Sequence, residues 1–561
     1  MACIDMNVFC AGLALPGWQQ GYDPAGRWWV STVWAALPLL VLLTCMGVVR
    51  LKAHLSAVAG LATALVVAVA VFHMPVRLAG IAAVYGAGYG MFPIFWIIFP
   101  VIFLYGLTVR AGRFQMLQDC LMNVTGDARL QLLLIAFAIG AFFEGVAGFG
   151  TPVAVCSTLL MGLGFRPLQA AGLALLANTA PVAFGALGTP VTALHGVTGI
   201  DALLLTRVIA ALLVPFCVIV PFWVIWTFAG FRRMLEVWPA ALVAGGSFAV
   251  TQLFVARVHG PWLVDLSASL VSIAALLLFL RVWKPKRILN AQCEDVTGAV
   301  CVRADGEGRR VLKAGMPWAI LMVCVTIWGT PAFGRWLDGF SAVRWVIAGL
   351  DHVVFRMPPA VPLAAAEAAV FGFNWLSATG TGILIAALIA GFAMRVPVRV
   401  MGEVLWETVV STRFTLVTIA ALMALGFVSR FCGLDATLGL AFARTGILYP
   451  FFGTLVGWLG TASTGSDTSS NVLFGSLQTL TARQLGIAPA LMAAANSGGG
   501  VMGKMVAPQS VVIASTATGI YGKEGSILRF VFLHSFVLAC LMGVVVGMVV
   551  YWPWLNRLVL G

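Results

Sequence analysis

Apolar runs of membrane-spanning length recur from one end of this chain to the other: residues 33–49, 55–72, 208–228, 237–256, 263–280, 315–330, 380–394 and 530–551. A helix needs about 20 apolar residues to cross a hydrocarbon core about 30 Å thick. A chain built of such runs has few folds open to it. Of its 561 residues 61% are hydrophobic and only 9% charged, whereas a water-facing surface normally draws on about 25% charged residues. Membrane β-barrels alternate weakly and contain no runs of this length. The sequence therefore predicts an all-α polytopic membrane protein with about 12–14 transmembrane segments.

The formal net charge of +13 is a topology signal and not a nucleic-acid surface. Residues 281–313 hold Arg281, Lys284, Lys286, Arg287, Arg303, Arg309, Arg310 and Lys313, and such an excess marks a cytoplasmic loop. Counting two spans back puts Arg232 and Arg233 on the same side and leaves the turn at 257–261 outside. The cysteines show no CxxC or zinc-like spacing. Most, among them Cys45, Cys156, Cys217, Cys324 and Cys540, lie in apolar runs, where cysteine behaves as a small hydrophobe. Neither a disulfide framework nor a metal site is expected. The start of the chain carries Asp5, Pro16, Gly17 and Asp23 with no basic lead, so the span near Val33 is expected to act as an uncleaved signal.

Shifted by about 320 residues, the chain aligns with itself. Gly60 falls on Gly380, Arg110 on Arg430, Gly140 on Gly460 and Gly145 on Gly465; after a small slip Asn178 falls on Asn496, Gly185 on Gly503 and Pro190 on Pro508. The spacing Asn-x6-Gly-x4-Pro, present in NTAPVAFGALGTP and NSGGGVMGKMVAP, is hard to match by chance. The expected organisation is an N-terminal segment with the first span (1–56), a first repeat (57–230) and a second repeat (377–561). Between the repeats lie connecting spans (231–376), which include the basic linker 281–313 and an amphipathic stretch around 333–359. Two homologous repeats interrupted by Gly and Pro at matching places are the pattern of secondary transporters. Inverted repeats are the commoner arrangement when helices are broken, although sequence leaves the parallel arrangement open.

Residues 130–164 carry Glu144 as their only charge. A straight helix of that length would measure about 52 Å, too long for one crossing, and near its centre lies FEGVAGFGTPVA, residues 143–154. Gly148, Gly150 and Pro152 break the helix and free backbone groups that hydrocarbon tolerates only where they line protein or a cavity. A re-entrant hairpin or a helix–break–helix span is expected. The N-terminus of a half-helix is a seat for a carboxylate, with Thr151 as its cap and Pro152 in its first turn. Glu144 could carry a proton or meet a substrate; it could equally be structural, bonded to a neighbouring backbone group or hydroxyl.

The matching stretch, GTASTGSDTSSNVLFG at 460–475, sets Asp467 and Asn471 among Ser466, Thr468, Ser469 and Ser470. Hydroxyls can bond the i−4 carbonyl of their own helix, but a buried carboxylate cannot satisfy itself in that way. The third element runs from Asn178 through Thr189 to Pro190, with its twin from Asn496 to Pro508. The twin adds Lys504 and then Gln509. Lys504 is open to three readings: neutralising Asp467, meeting a substrate carboxylate, or snorkelling to an interface. Arg110, Arg113 and Arg129 read as markers of a membrane face and His195 as a loop histidine. Glu367 could line a vestibule, and Glu403, Glu407 and Arg413 share one solvated helix. No HExxH, GxSxG or Walker A motif is present, so no catalytic residue is assigned and transport is expected to run on an ion gradient. A lipid-modifying enzyme would need a nucleophile and base, or a metal cluster, which the six scattered histidines do not supply.

In EGVAGFGTPVAV, ANTAPVAFGALGTPV, GSDTSSNVLFGSLQ and GKMVAPQSVVIA, taken in that order and supported by NWLSATGTGILIAALI, the chain resembles the lactate permease family, which includes glycolate permeases. The resemblance extends over most of the chain. It implies a proton symporter for L-lactate and related 2-hydroxy-monocarboxylates such as glycolate, working by alternating access in the bacterial inner membrane. It implies no cofactor beyond the coupling ion H+, and as partners only the small monocarboxylate and the lipid bilayer, with no nucleic acid. A Na+-coupled carboxylate carrier, with hydroxyl and carbonyl oxygens as ion ligands, is the alternative.

Overall fold

The apolar runs are helices. In the first half they are α1 (Trp28–Gly47), α2 (Ala53–Ala70), α3 (Val76–Arg110), α4 (Ala128–Val146), α5 (Thr151–Gly162), α6 (Pro167–Ala177), α7 (Gly185–Thr198) and α8 (Ala202–Ala229). Three connecting helices follow: α9 (Trp238–Val258), α10 (Val264–Val282) and α11 (Glu307–Trp328), then the short α12 (Pro331–Ser341). The second half holds α13 (Thr379–Ala393), α14 (Val398–Cys432), α15 (Leu434–Ala443), α16 (Tyr449–Thr464), α17 (Asp467–Gln484), α18 (Pro489–Gly503), α19 (Pro508–Ala517) and α20 (Glu524–Tyr551).

This computed structural model describes residues 17–47, 49, 51–113, 115–116, 125–146, 148, 150–294, 307–328, 330–361, 363–520 and 523–560. The start of the N-terminal segment (1–16), the middle of the basic linker (295–306, with Arg303), and Ala147 and Phe149 lie outside the described residues. Among the described residues nine helices are long and apolar enough to cross a membrane, or 12 spans if each bent helix pair counts as one. That is the lower end of the sequence expectation. The two halves present matching lengths in the same order: α3 and α14 are 35 residues each, α8 and α20 are 28 each. Helix ends follow local chemistry. The Asp201 carboxylate accepts the Leu204 N–H (2.9 Å) at the start of α8, satisfying one of the donors that a helix N-terminus leaves free.

The amphipathic stretch around 333–359 begins as α12 and gives way to short strands. Val343–Val346 pairs antiparallel with Val370–Phe373, and Val354–Arg356 pairs parallel with Trp18–Gln19 and antiparallel with Ala365–Ala366. Trp345 stacks on Phe371 and Phe373 across the first of these sheets, the cross-strand pairing that stabilises an isolated ribbon. Arg129 does not mark a membrane face by exposure. Its side chain is 0% exposed and pairs with Asp127 (2.8 Å) and Glu236 (2.7 Å). It also donates to the carbonyls of Arg233 (2.9 Å) and Arg287 (2.7 Å). It thereby ties the start of α4 to the short helix Phe231–Leu235 and to the loop at 287, at the end of the molecule that carries the basic linker.

α11 crosses from that end to the other, where the strands lie. There Glu367 takes Arg356 and Arg430, and Gln20 Nε2 donates to the carbonyls of Arg430 and Phe431 (2.9 Å each). Glu367 is therefore a paired charge in this outer cluster. Arg110 pairs with Glu407 (2.6 Å) and Glu403 with Arg399 (3.2 Å), all on exposed side chains, where such pairs add little stability.

The second half packs through glycine. On α18, Gly499 and Gly503 lie against the carbonyl oxygens of Thr454 and Trp458, and Gly457 of α16 lies against that of Asn496. Small residues that let backbones meet are the usual means of joining helices in lipid, where burial from water gives no drive. A methyl group at Gly499 would overlap the Thr454 carbonyl oxygen. Gly499→Ala is therefore expected to destabilise the folded protein by about 1–3 kcal/mol, the usual cost of overpacking. Thermal unfolding in detergent, compared with Gly525→Ala where the added methyl meets open space, reads this directly.

Candidate functional site

α4 and α5 form a hairpin. Cys156 of α5 lies back against α4, its Sγ donating to the Ile135 carbonyl (3.1 Å). The reversal is made by Gly148 (φ 56°) and Gly150 (φ 87°), a left-handed geometry that costs a side-chain-bearing residue about 1–2 kcal/mol. α5 has 12 residues, about 18 Å at 1.5 Å per residue, so it reaches only part-way through a membrane. Thr151 is not the cap predicted for it: Gly150 occupies that position and Thr151 opens the first turn, with Pro152 beside it.

α16 and α17 form a second hairpin. Ser470 Oγ of α17 donates to the Gly457 carbonyl (3.0 Å) and Gln478 Nε2 to that of Gly453 (2.6 Å). Gly465 (φ 77°) closes α16, and Ser466 Oγ caps α17 by accepting the Ser469 N–H (3.3 Å). The base of this hairpin meets the strand end of the molecule, since Gln484 donates to the Pro359 carbonyl. The base of the first hairpin is held by Arg129 at the opposite end. The two hairpins thus enter from opposite faces and their tips approach each other.

Two interrupted helices flank the tips. α6 and the segment from 182 through α7 bend by 66°. Ala186 (φ 45°), Leu187 (φ 53°) and Gly188 (φ 73°) are consecutively left-handed, a conformation that surrounding structure must impose. Thr189 Oγ1 donates to the Ala186 carbonyl (2.6 Å) and steadies this turn. α18 breaks at 504–506, and α19 restarts at Pro508.

The buried polar groups converge here. Lys504 Nζ donates to Glu144 Oε1 (2.6 Å), and Asn178 Nδ2 to Glu144 Oε2 (2.9 Å). The first tip is thus joined to both interrupted helices. Gly185 is close enough that its Cβ would stand 2.6 Å from Glu144 Oε1. Of the three readings of Lys504, the geometry removes snorkelling, because the residue is only 8% exposed, and makes Glu144 its partner. Asp467 is satisfied by hydroxyls and an amide: Ser497 Oγ (2.6 Å) and Asn471 Nδ2 (3.2 Å) on Oδ2, and Thr461 Oγ1 (3.4 Å) on Oδ1. Asn471 also donates to the Pro190 carbonyl (3.2 Å), Asn496 donates to Asn471 Oδ1 (2.9 Å), and Gln478 to Asn496 Oδ1 (3.2 Å). Hairpin two is therefore sewn to both interrupted helices as well.

Between the tips lies a cavity of about 260 Å³, smaller than the roughly 300–1,000 Å³ of drug-sized pockets and suited to a molecule of a few heavy atoms. Glu144, Gly148, Gly150, Ser466, Asp467, Thr468, Lys504 and Gln509 line it. Asn178, Ser470, Asn471 and Asn496 stand in a second row behind these, while Thr189 stays in its turn and Thr151 off the cavity wall. The starts of α5, α17 and α19 face the space, through Gly150, Thr468, Gln509 and Ser510, and Pro190, where α7 becomes regular after its left-handed turn, lines it as well. A helix N-terminus carries a partial positive charge, which suits an anion. A second cavity of about 190 Å³ shares Thr415, Ser466, Thr468 and Gln509 and adds Ser469, Ala57 and Ala53. It leads toward the start of α2, which helix counting places on the side of the basic linker.

Sequence reasoning passed over Asp265, Thr415 and Ser497. Asp265 had a signal, a lone carboxylate inside the apolar run 263–280; Thr415 had none beyond polarity. Among the described residues no group of three or more His, Cys, Asp or Glu is arranged to hold a metal ion.

A family model described as L-lactate permease matches residues 31–552. The L-lactate permease of Escherichia coli strain K12 is 43% identical over 95% of this chain and 98% of its own length. The glycolate permease GlcA of the same strain is 42% identical over 94% and 97%, and the L-lactate permease of Bacillus subtilis strain 168 is 40% identical over 94% and 97%. Among solved structures, the YdaH transporter of Alcanivorax borkumensis aligns with a TM-score of 0.44 at 15% identity, over 94% of this chain and 98% of that one.

Proposed function

The chain belongs to the L-lactate permease family and is a multi-pass protein of the bacterial inner membrane, and we propose that it takes up L-lactate and glycolate by proton symport. The observation that carries the proposal is the Lys504–Glu144 pair on the wall of a small cavity ringed by helix N-termini. A 2-hydroxy acid anion entering this space meets Lys504 as a counter-charge already committed to Glu144. If the substrate carboxylate takes the ammonium, Glu144 is left as an unpaired anion in a medium where uncompensated charge is costly. Taking up one proton on Glu144 restores neutrality, so anion and proton enter together. The hydroxyls of Ser466, Thr468 and Ser510 and the amide of Gln509 can bond the substrate 2-hydroxyl. The two hairpins and two interrupted helices form a pair of inverted repeats in this reading, and alternating access exchanges the opening through the Thr415 side for one on the other face.

The same oxygens could serve Na+, and one experiment separates the two ions. In proteoliposomes, counterflow of labelled L-lactate is expected to be competed by glycolate. Uphill uptake in sodium-free buffer is expected to rise as outside pH falls and to collapse at least tenfold with a proton uncoupler. Uptake that needs sodium and ignores the uncoupler would refute the proton reading.

A further inference from the structure

Asp265, in the first turn of α10, is 1% exposed, and neither of its carboxyl oxygens receives a hydrogen bond from any described residue. It stands against the first hairpin: a Cβ at Gly145, the residue after Glu144, would be 2.8 Å from the Asp265 Cβ. The charged groups whose fields reach it are Glu144 on α4 and Lys504 beyond α18. The buried thiol of Cys217 on α8 is the other titratable group in its field, and that thiol donates to Gln252 Oε1 of α9 (3.0 Å). Among the described residues, no charge on α7 or α9 is one of those that reach it.

The carboxyl groups of Glu144 and Asp265 therefore share the field of one positive charge, that of Lys504. Lys504 is spent on Glu144, so Asp265 has no counter-charge in this state, and a buried carboxylate without a partner is not sustained as an anion. An acid that stayed neutral through the whole cycle would be a poor use of a buried position, since its hydroxyl and carbonyl both lack partners.

We propose that Asp265 is the proton-relay acid of the coupling site, serving Glu144 from the side away from the substrate cavity. When a substrate carboxylate draws Lys504 off, Glu144 is freed to turn to Asp265; the O–H bond of Asp265 then breaks as its proton forms an O–H bond on Glu144. Asp265, closed off from water in this state, is then reprotonated by hydronium in a later state of the cycle that admits water to it. The inference rests on the proton-symport reading above.

The test uses the full chain in proteoliposomes with an entrapped pH dye. Asp265→Asn keeps the shape of the neutral acid but cannot release a proton. It is expected to cut lactate-linked proton entry and uphill accumulation tenfold or more, with the remaining lactate exchange losing its dependence on pH. Asp265→Glu is expected to regain at least half of the accumulation with a displaced pH profile. Accumulation at the wild-type level in Asp265→Asn would overturn the proposal. So would a loss in which exchange and accumulation fall together with the wild-type pH profile intact, which marks a structural role. Should Asp265→Asn fail to fold, an unshifted pH profile in Asp265→Glu overturns it equally. If wild-type protein moves lactate with no proton, the symport reading itself has failed, independently of Asp265.

Discussion

Lys504→Met is expected to lower lactate uptake by about a hundredfold or more. Truncating one partner of a buried, hydrogen-bonded charge pair costs binding about 2–5 kcal/mol, and each 1.4 kcal/mol is a factor of ten. Here the loss falls twice. Glu144 keeps only the Asn178 amide (2.9 Å), and an anion in the cavity loses the ammonium that the helix N-termini supplement. The first effect is on folding and the second on binding, and a second variant separates them. Lys504→Met combined with Glu144→Gln removes both charges, so folded yield is expected to recover while uptake stays low. Lys504→Arg keeps the charge, but its planar fork is larger than the point charge it replaces and is expected to restore no more than a small part of the rate. Uptake near wild type in the single variant, at equal amounts of inserted protein, would remove Lys504 from the substrate path.

Much of this site could be read from the sequence because its breaks are written in residues that lipid excludes. Glycine, proline and a carboxylate together at 143–154, and hydroxyls around Asp467, have no place on a lipid-facing helix, so both tips were legible. The Asn-x6-Gly-x4-Pro spacing likewise marked both interrupted helices before any geometry. What escaped was set by contacts between distant parts of the chain. That Lys504 chooses Glu144 over Asp467 depends on how two hairpins from opposite faces meet, and no local pattern encodes it. Asp265 sits in an apolar helix whose periodicity is undisturbed, and only the approach of Gly145 shows what it faces. Arg129 resembles any basic residue near a span end, yet Asp127 and Glu236 bury it completely. The strands at 343–373 are short, and what fixes them is pairing with one another and, for Val354–Arg356, with the distant Trp18–Gln19.

Glu144→Gln and Asp467→Asn are expected to fail in different ways, and under the proposed proton symport the difference assigns the proton to one of them. In Glu144→Gln the lysine has no carboxylate to return to, so a substrate anion that reaches Lys504 is held and released slowly. Binding is expected to tighten while the maximal rate falls about tenfold or more, the signature of a ground state stabilised beyond its transition state. Because glutamine takes up no proton, the rise of uptake with falling outside pH is expected to flatten. Asp467 is tied to Thr461, Asn471 and Ser497 instead, so Asp467→Asn places an amide donor among groups that all donate. The loss of one to two charge-assisted bonds, about 1.5–3 kcal/mol each, is expected to loosen the second tip from α18 and to lower the rate with the pH dependence kept. Both variants should insert normally, since each replaces a carboxylate by its near-isosteric amide. Full uptake by both at neutral pH would sink the coupling assignment. A flattened pH profile in Asp467→Asn alone would move the proton to the second hairpin, and with it the point at which substrate and proton meet.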